Sequence, residues 1–187
     1  RVKNNYLNSE VNIENMSYVY ALSKILKIKE KSFIKSLESF KGLAHRHEIF
    51  YKKNNKIFIN DSKATSFESS RFALKSNKNI FWIVGGLPKL GDKFQLGEVR
   101  KNIMKAYIVG KHVKHFKGFF KDKVNFELSM TLNNAIASIF RDIKSVKGKK
   151  ITILLSPASA SYDQFKNFED RGDRFKKLTI HYAKRYF

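Results

Sequence analysis

An open α/β sheet, mostly parallel and covered by helices on both faces, is the fold that three features of this sequence predict. The runs Ile80-Phe81-Trp82-Ile83-Val84, Tyr107-Ile108-Val109 and Ile151-Thr152-Ile153-Leu154-Leu155 are almost continuously apolar, whereas a strand with one face in water would alternate. Helical patterns separate these runs, as a sheet shielded on both sides requires. Small and polar residues follow the strands, where βα loops turn and ligands gather in such sheets.

The elements follow in order. From Asn12 to Lys27 the apolar residues Met16, Val19, Tyr20 and Ile25-Leu26 recur at helical spacing, and Phe33, Ile34 and Leu37 repeat the signal, which predicts two short amphipathic helices. Ile49-Phe50-Tyr51 and Ile57-Phe58-Ile59 flank Asn54-Asn55, a pair tolerant of positive φ, and predict a β-hairpin. A helix is expected after Thr65. A clearer one follows Thr131, a ready N-cap, with Leu132, Ala135, Ile136, Ile139, Phe140 and Ile143 on one stripe. The last helix is expected from about Arg171, burying Phe175, Leu178 and Tyr182. Residues 45–187 thus form the α/β domain, and residues 1–44 a short helical piece of a preceding one.

Composition narrows the function classes. An apolar content of 42% with 17 Phe argues for a packed core and against disorder. The absence of Cys excludes a disulfide framework and thiolate metal sites. No signal peptide and no apolar run of membrane-spanning length is present, so a cytoplasmic protein without membrane association is expected. The net charge of +22 raises nucleic acid as a partner, yet only eight of the 38 basic residues are Arg and the lysines are scattered throughout. A basic nucleic-acid-binding module therefore stands only as an alternative.

The strand-end segments carry the chemistry. Asn60-Asp61-Ser62-Lys63-Ala64-Thr65, Gly85-Gly86-Leu87-Pro88-Lys89, Gly110-Lys111 and Ser156-Pro157-Ala158-Ser159-Ala160-Ser161 offer hydroxyls, lysines and backbone N–H groups suited to carboxylates or phosphates. Asp61 adds an acceptor for a sugar hydroxyl or a metal. Each has a plainer explanation. Asp61-Ser62 could be an Asx turn capping the next helix, Thr65 and Ser161 could cap helices, and Tyr162 and Phe168 could be core. His45 could be an ordinary histidine, and Arg46, Lys63 and Lys89 solvated charges. Gly85-Gly86 lacks the Gly-Lys-Ser/Thr ending of a phosphate loop.

Taken together and in order, "INDSKAT", "GGLPKLGDKF" and "LLSPASASYDQFKNFEDRGDRF" resemble the C-terminal part of the Mur ligases, and among them the members that add D-glutamate. "GLAHRHE" is similar to that family's Gly-Leu-Pro-His-Arg segment with Ala44 in the proline position. "NIENMSYVYA" is similar to its Asn-x-x-Asn helix start, with Val11 where His usually stands. The resemblance implies a Rossmann-like domain at 45–187, preceded by a remnant of the central ATP-binding domain at 1–44.

It further implies an ATP-dependent, magnesium-assisted ligase. The terminal carboxylate of UDP-N-acetylmuramoyl-L-alanine is phosphorylated, and the amine of D-glutamate attacks the acyl phosphate. Carried over residue by residue, Asn12 and Asn15 would lie by the adenine. His45 and Arg46 fall at the hinge, with Arg46 reaching the phosphates. Asp61 would accept from the ribose, and Lys63 would face the phosphates. Thr65, Lys89, Ser161, Tyr162 and Phe168 would form the D-glutamate pocket, Tyr162 through its backbone. The family's phosphate loop, its magnesium ligands and its N-terminal domain find no match in these residues. The chain opens on Arg1, and a fragment is expected: inactive alone, with no metal ligand of its own, part of a monomeric parent enzyme whose missing domains are its partners. A Mur-type ligase for another amino acid, or for folate, is the nearer alternative.

Overall fold

The computed structural model describes residues 4, 6–7 and 10–187, and the side chains of all of these but 10 and 11. Val11, where the resembled family carries His, thus lies outside the described side chains. The chain divides into two compact units, Arg1–Leu43 and Ala44–Phe187.

The first unit holds helices α1 (Glu10–Ile25) and α2 (Glu30–Ser39). The chain leaves α1 through Lys27 at φ 54°, and the Ile28 N–H reaches back 2.8 Å to the Ser23 carbonyl, closing the helix end. Asn4 donates through Nδ2 to the carbonyls of Leu37 (2.6 Å) and Phe40 (2.8 Å) at the end of α2, where the Phe40 N–H also donates to Leu37. Both expected helices form, and Tyr20 meets Phe33 with ring centroids 5.4 Å apart. Yet Val19, Tyr20, Ile25 and Leu26 are exposed and no residue of α2 is buried, so the apolar stripes are not covered within this unit.

The second unit is built on one sheet of six strands: β1 (Glu48–Lys53), β2 (Lys56–Asn60), β3 (Ile80–Val84), β4 (Ile103–Val109), β5 (Phe126–Met130) and β6 (Ile151–Leu155). Their spatial order is β1-β2-β6-β3-β4-β5. Only β1 runs antiparallel, joined to β2 through a turn at Asn54, φ 51°, as the Asn-Asn pair predicts. The strands β2, β6, β3, β4 and β5 are parallel neighbours, so their carboxyl ends share one edge.

Alternate side chains of each central strand enter different layers. Ile80, Trp82 and Val84 pack with α3 (Phe67–Ser76), the 3₁₀ turn Gly97–Asn102 and α4 (Val113–Phe120). Phe81 and Ile83 pack with α5 (Leu132–Asp142) and α6 (Phe168–Tyr186) on the other face. All five residues of β3 and of β6 are buried, which is why both lack alternation in the sequence.

Caps set the helix starts. Thr131 accepts from the Asn134 N–H as expected, and Ser66 rather than Thr65 caps α3. Asn167 caps α6 by accepting from Asp170, so that helix begins at Phe168, three residues ahead of the expected Arg171. Strand β5 was not foreseen. It lies at the sheet's other edge with only Ser129 buried, and a half-wet pentapeptide carries little apolar signal. Lys105 of β4 ties it to α5, bonding Glu127 at 2.9 Å and Asp142 at 2.7 Å, while the Tyr107 hydroxyl also donates to Asp142 at 2.6 Å.

Candidate functional site

The loops leaving β2, β3, β4 and β6 meet at the sheet's carboxyl edge and are bonded to one another. The Asp61 N–H donates to the Leu155 carbonyl at 2.8 Å and the Gly85 N–H to the Pro157 carbonyl at 2.9 Å. Leu87 and Ala160 exchange N–H···O bonds of 2.9 and 3.0 Å, an isolated antiparallel bridge. The Lys111 N–H donates to the Asp163 carboxylate at 2.9 Å.

Glycine makes this approach possible. Gly85 and Gly86 sit at φ 118° and 140°, and a Cβ on Gly86 would stand 2.4 Å from the Ala160 carbonyl oxygen. Thr65, Lys89 and Ser161 project from loops so joined: Lys89 lies two residues beyond the bridge and Ser161 one. Thr65 and Lys89 are exposed, Ser161 is buried, and Tyr162 is 71% exposed. Tyr162 is therefore not core, and the Ser161 carbonyl turns the chain by accepting from Gln164 and Phe165. Ser161 caps no helix.

Asp61 is buried beneath this edge. Its carboxylate accepts from the Ser156 hydroxyl at 2.7 Å and from the His47 N–H at 3.0 Å. Burial pushes its pKa up to about 6, against the opposing pull of Ser156, His47 and the Arg46 charge. The Asx-type contact of this loop belongs to its neighbour Asn60, whose side-chain oxygen accepts from Ser62 N–H. The helix cap is left to Ser66. Lys63 is exposed, with its ammonium 5.6 Å over the ring of the half-buried Phe168.

His45 is buried at φ 61°, its Nδ1 3.0 Å from the Asn60 amide and its Nε2 3.8 Å from Asp173. The next residue, Arg46, is exposed. His47 is left-handed too, φ 47°, with a buried Nδ1 lacking a partner, and burial lowers its pKa. In the first unit, Asn12 donates to the Tyr6 carbonyl at 2.7 Å from inside α1, and Asn15 is exposed on that helix. Among the described residues no three His, Asp or Glu side chains gather as a metal site.

Arg171 is the residue that sequence reasoning missed. It is 2% exposed, donating through Nε to the Ser62 hydroxyl at 3.0 Å and through Nη2 to the carbonyls of Ser62 and Ser159. Burial lowers its pKa to about 10, with Asp163 acting in the opposite sense. One guanidinium thus clamps the loops after β2 and β6. The signal was present: Arg171, Phe175, Thr179 and Ala183 recur every four residues along the buried stripe of α6.

No family model matches the chain. The sequence is 41% identical over 173 residues to the UDP-N-acetylmuramoylalanine--D-glutamate ligase of Wolbachia sp. subsp. Brugia malayi, covering 92% of this chain and 34% of that protein. Ligases of the same name from Nitrobacter hamburgensis and Bartonella henselae are 41% and 42% identical over 89% and 88% of the chain. The chain spans about a third of the length of these curated relatives. In fold it is similar to MurF from Acinetobacter baumannii (TM-score 0.66, 18% identity, covering 92% of this chain and 38% of that one). MurF ligase from Thermotoga maritima in complex with ADP is similarly close, with TM-score 0.66, 15% identity and coverage of 93% and 39%. By sequence identity across about nine-tenths of its length, the chain belongs to the Mur ligase family.

Proposed function

We propose that this chain supplies the amino-acid-binding domain of an ATP-dependent ligase that joins D-glutamate to UDP-N-acetylmuramoyl-L-alanine. The relatives' shared name supports the substrate pair. The bonded strand-end loops support the site, because they carry Thr65, Lys89 and Ser161 to one edge of the sheet. That convergence is the observation on which the reading rests.

In this reading Lys89 neutralises a carboxylate of D-glutamate while the hydroxyls of Thr65 and Ser161 donate to its oxygens. The backbone at Tyr162 and the Phe168 ring close the pocket and hold the amine toward the acyl carbon. Bound ATP would supply the phosphoryl group that gives the substrate carboxylate a leaving group, phosphate, for the amine to displace. The second unit's groups suit such a nucleotide: exposed Arg46 and Lys63 would meet phosphates and Asp61 would accept from a ribose hydroxyl, while Asn12 and Asn15, on a helix of the first unit, carry amides suited to an adenine edge. Asp61 fits best when ionised, and its pKa near 6 leaves it so at neutral pH. His45, left-handed at φ 61°, stands near the start of the second unit.

Residues 1–44 are read as the end of a central ATP-binding domain, which fits the apolar surface that α1 leaves exposed. Among the described residues no helix is long and apolar enough to cross a membrane. The test is a titration of the ¹⁵N-labelled chain with D-glutamate and with L-glutamate. Shifts at Thr65, Lys89 and Ser161 that favour the D-enantiomer are expected, with affinity in the millimolar range because the pocket awaits its other domains. Equal response to both enantiomers would overturn the substrate. Phosphate release by the chain alone, given ATP, magnesium and both substrates, should be absent, and turnover would sink the fragment reading.

A further inference from the structure

The second unit has a cavity of about 410 Å³ at the amino-terminal edge of the strands, opposite the loops described above. Its walls come from the β1–β2 turn, the end of α5, the connection into β6 and the end of α6. Four lysines line it: Lys56, Lys144, Lys147 and Lys149. No Asp or Glu does, and none of the four makes an ion pair among the described residues. Tyr186 and Phe187 give the cavity an aromatic wall, and Phe140 lies wholly buried beneath it.

Lysines spread over a convex surface are screened from one another by water, but lysines around a concavity add their fields at its centre. The volume falls within the range of small-molecule sites. Lys144 rests with its ammonium 4.4 Å over the Tyr186 ring and Lys56 5.2 Å over that of Phe187, so both charges already stand at the cavity's aromatic side. Gly148 at φ 72° turns the connection between Lys147 and Lys149.

We propose that this cavity binds an organic phosphate of mononucleotide size, with the phosphoryl oxygens on Lys144, Lys147 and Lys149 and the organic part against Tyr186 and Phe187. This accounts for part of the lysine excess that the ligase reading leaves unused, and it does not depend on that reading.

The test follows amide shifts of the ¹⁵N-labelled chain with AMP, UMP and inorganic phosphate. Saturable shifts are expected at Asn54, Asn55, Gly148 and Lys149 with either nucleotide. Inorganic phosphate, lacking the apolar part, should bind at least about tenfold more weakly. Lys144→Glu with Lys147→Glu should weaken nucleotide binding at the cavity at least about tenfold and leave shifts at Lys63 and Lys111 unchanged. Lys147→Glu alone, on the exposed turn, serves if the pair disturbs folding and should weaken binding in the same direction. Inorganic phosphate equal to the nucleotides, meaning a counterion only, would overturn the proposal. So would shifts that never saturate, or a single-stranded oligonucleotide whose affinity grows with length across lysines outside the cavity.

Discussion

Ser156 donates its hydroxyl to the Asp61 carboxylate across 2.7 Å, joining residues 95 apart in sequence at the ends of the neighbouring strands β6 and β2. The bond holds a buried acid in the β2 loop and couples that loop to the Ser156–Ser161 segment. Its protonation therefore bears on stability as well as on any ligand.

Asp61→Asn should stabilise the chain at neutral pH. The folded pKa of about 6 lies above the ordinary 3.8, so the carboxyl's contribution is fully present below about pH 4 and lost as pH rises through 6. Asparagine keeps the acceptor for the His47 N–H and can donate to Ser156. Urea unfolding should show a gain on the order of 2 kcal/mol at pH 7.5, shrinking to nothing below pH 4. A gain independent of pH would assign it to some other cause.

His47→Phe tests the opposite sign. Burial holds the imidazole below its ordinary 6.5, so its contribution is present above that value and lost as pH falls through the lowered one. Phe keeps the edge contact with Phe72, now at 5.5 Å between centroids, and removes the unpartnered Nδ1. Stability at pH 7.5 should rise by about 1 kcal/mol, and the acid-side loss should flatten. An unchanged slope below pH 6.5 would mean that His47 does not govern it.

Gly86→Ala should destabilise the chain by at least about 2 kcal/mol, since the added methyl meets the Ala160 carbonyl at 2.4 Å on a backbone that L-residues avoid. Gly91→Ala is the control. Nothing lies within 4 Å of its Cβ, and φ is 76°, so only the left-handed penalty of about 1 kcal/mol applies. Thermal unfolding of both separates steric from conformational loss, and equal losses would contradict the close approach of the loops.

Lys89→Met removes an exposed ammonium without touching the core. On the proposed function it should weaken D-glutamate binding at least about tenfold, and Ser161→Ala a few-fold less, with melting temperature unchanged for Lys89→Met. Wild-type affinity in Lys89→Met would move the carboxylate site elsewhere.

Sequence reasoning reached what is local. Strands β3 and β6 declare themselves because burial on both faces leaves no polar alternation, and Thr131 declares its helix because a cap acts within three residues. Strand β5 stayed hidden because an edge strand with one buried residue has no pattern to show. The early start of α6 was readable in Asn167-Phe168-Glu169-Asp170, a cap followed by acids in the first turn. Helical spacing in α1 was read correctly as helix, but spacing cannot say what covers the stripe. For the site, the four loops were legible as a set. The Arg171 clamp was not, since its partner Ser62 is 109 residues away and only the sheet order brings them together.

Trp82 is the chain's single tryptophan, wholly buried, its indole N–H bonded at 2.7 Å to the carbonyl of the same Ser156 that holds Asp61. The molecule therefore carries its own optical reporter in the middle of strand β3, tied to the loop that follows β6. Its emission should be blue in the folded state and should change in intensity as a neighbouring carboxyl gains or loses a proton. Events at the loop edge can thus be followed by light alone, with no label attached.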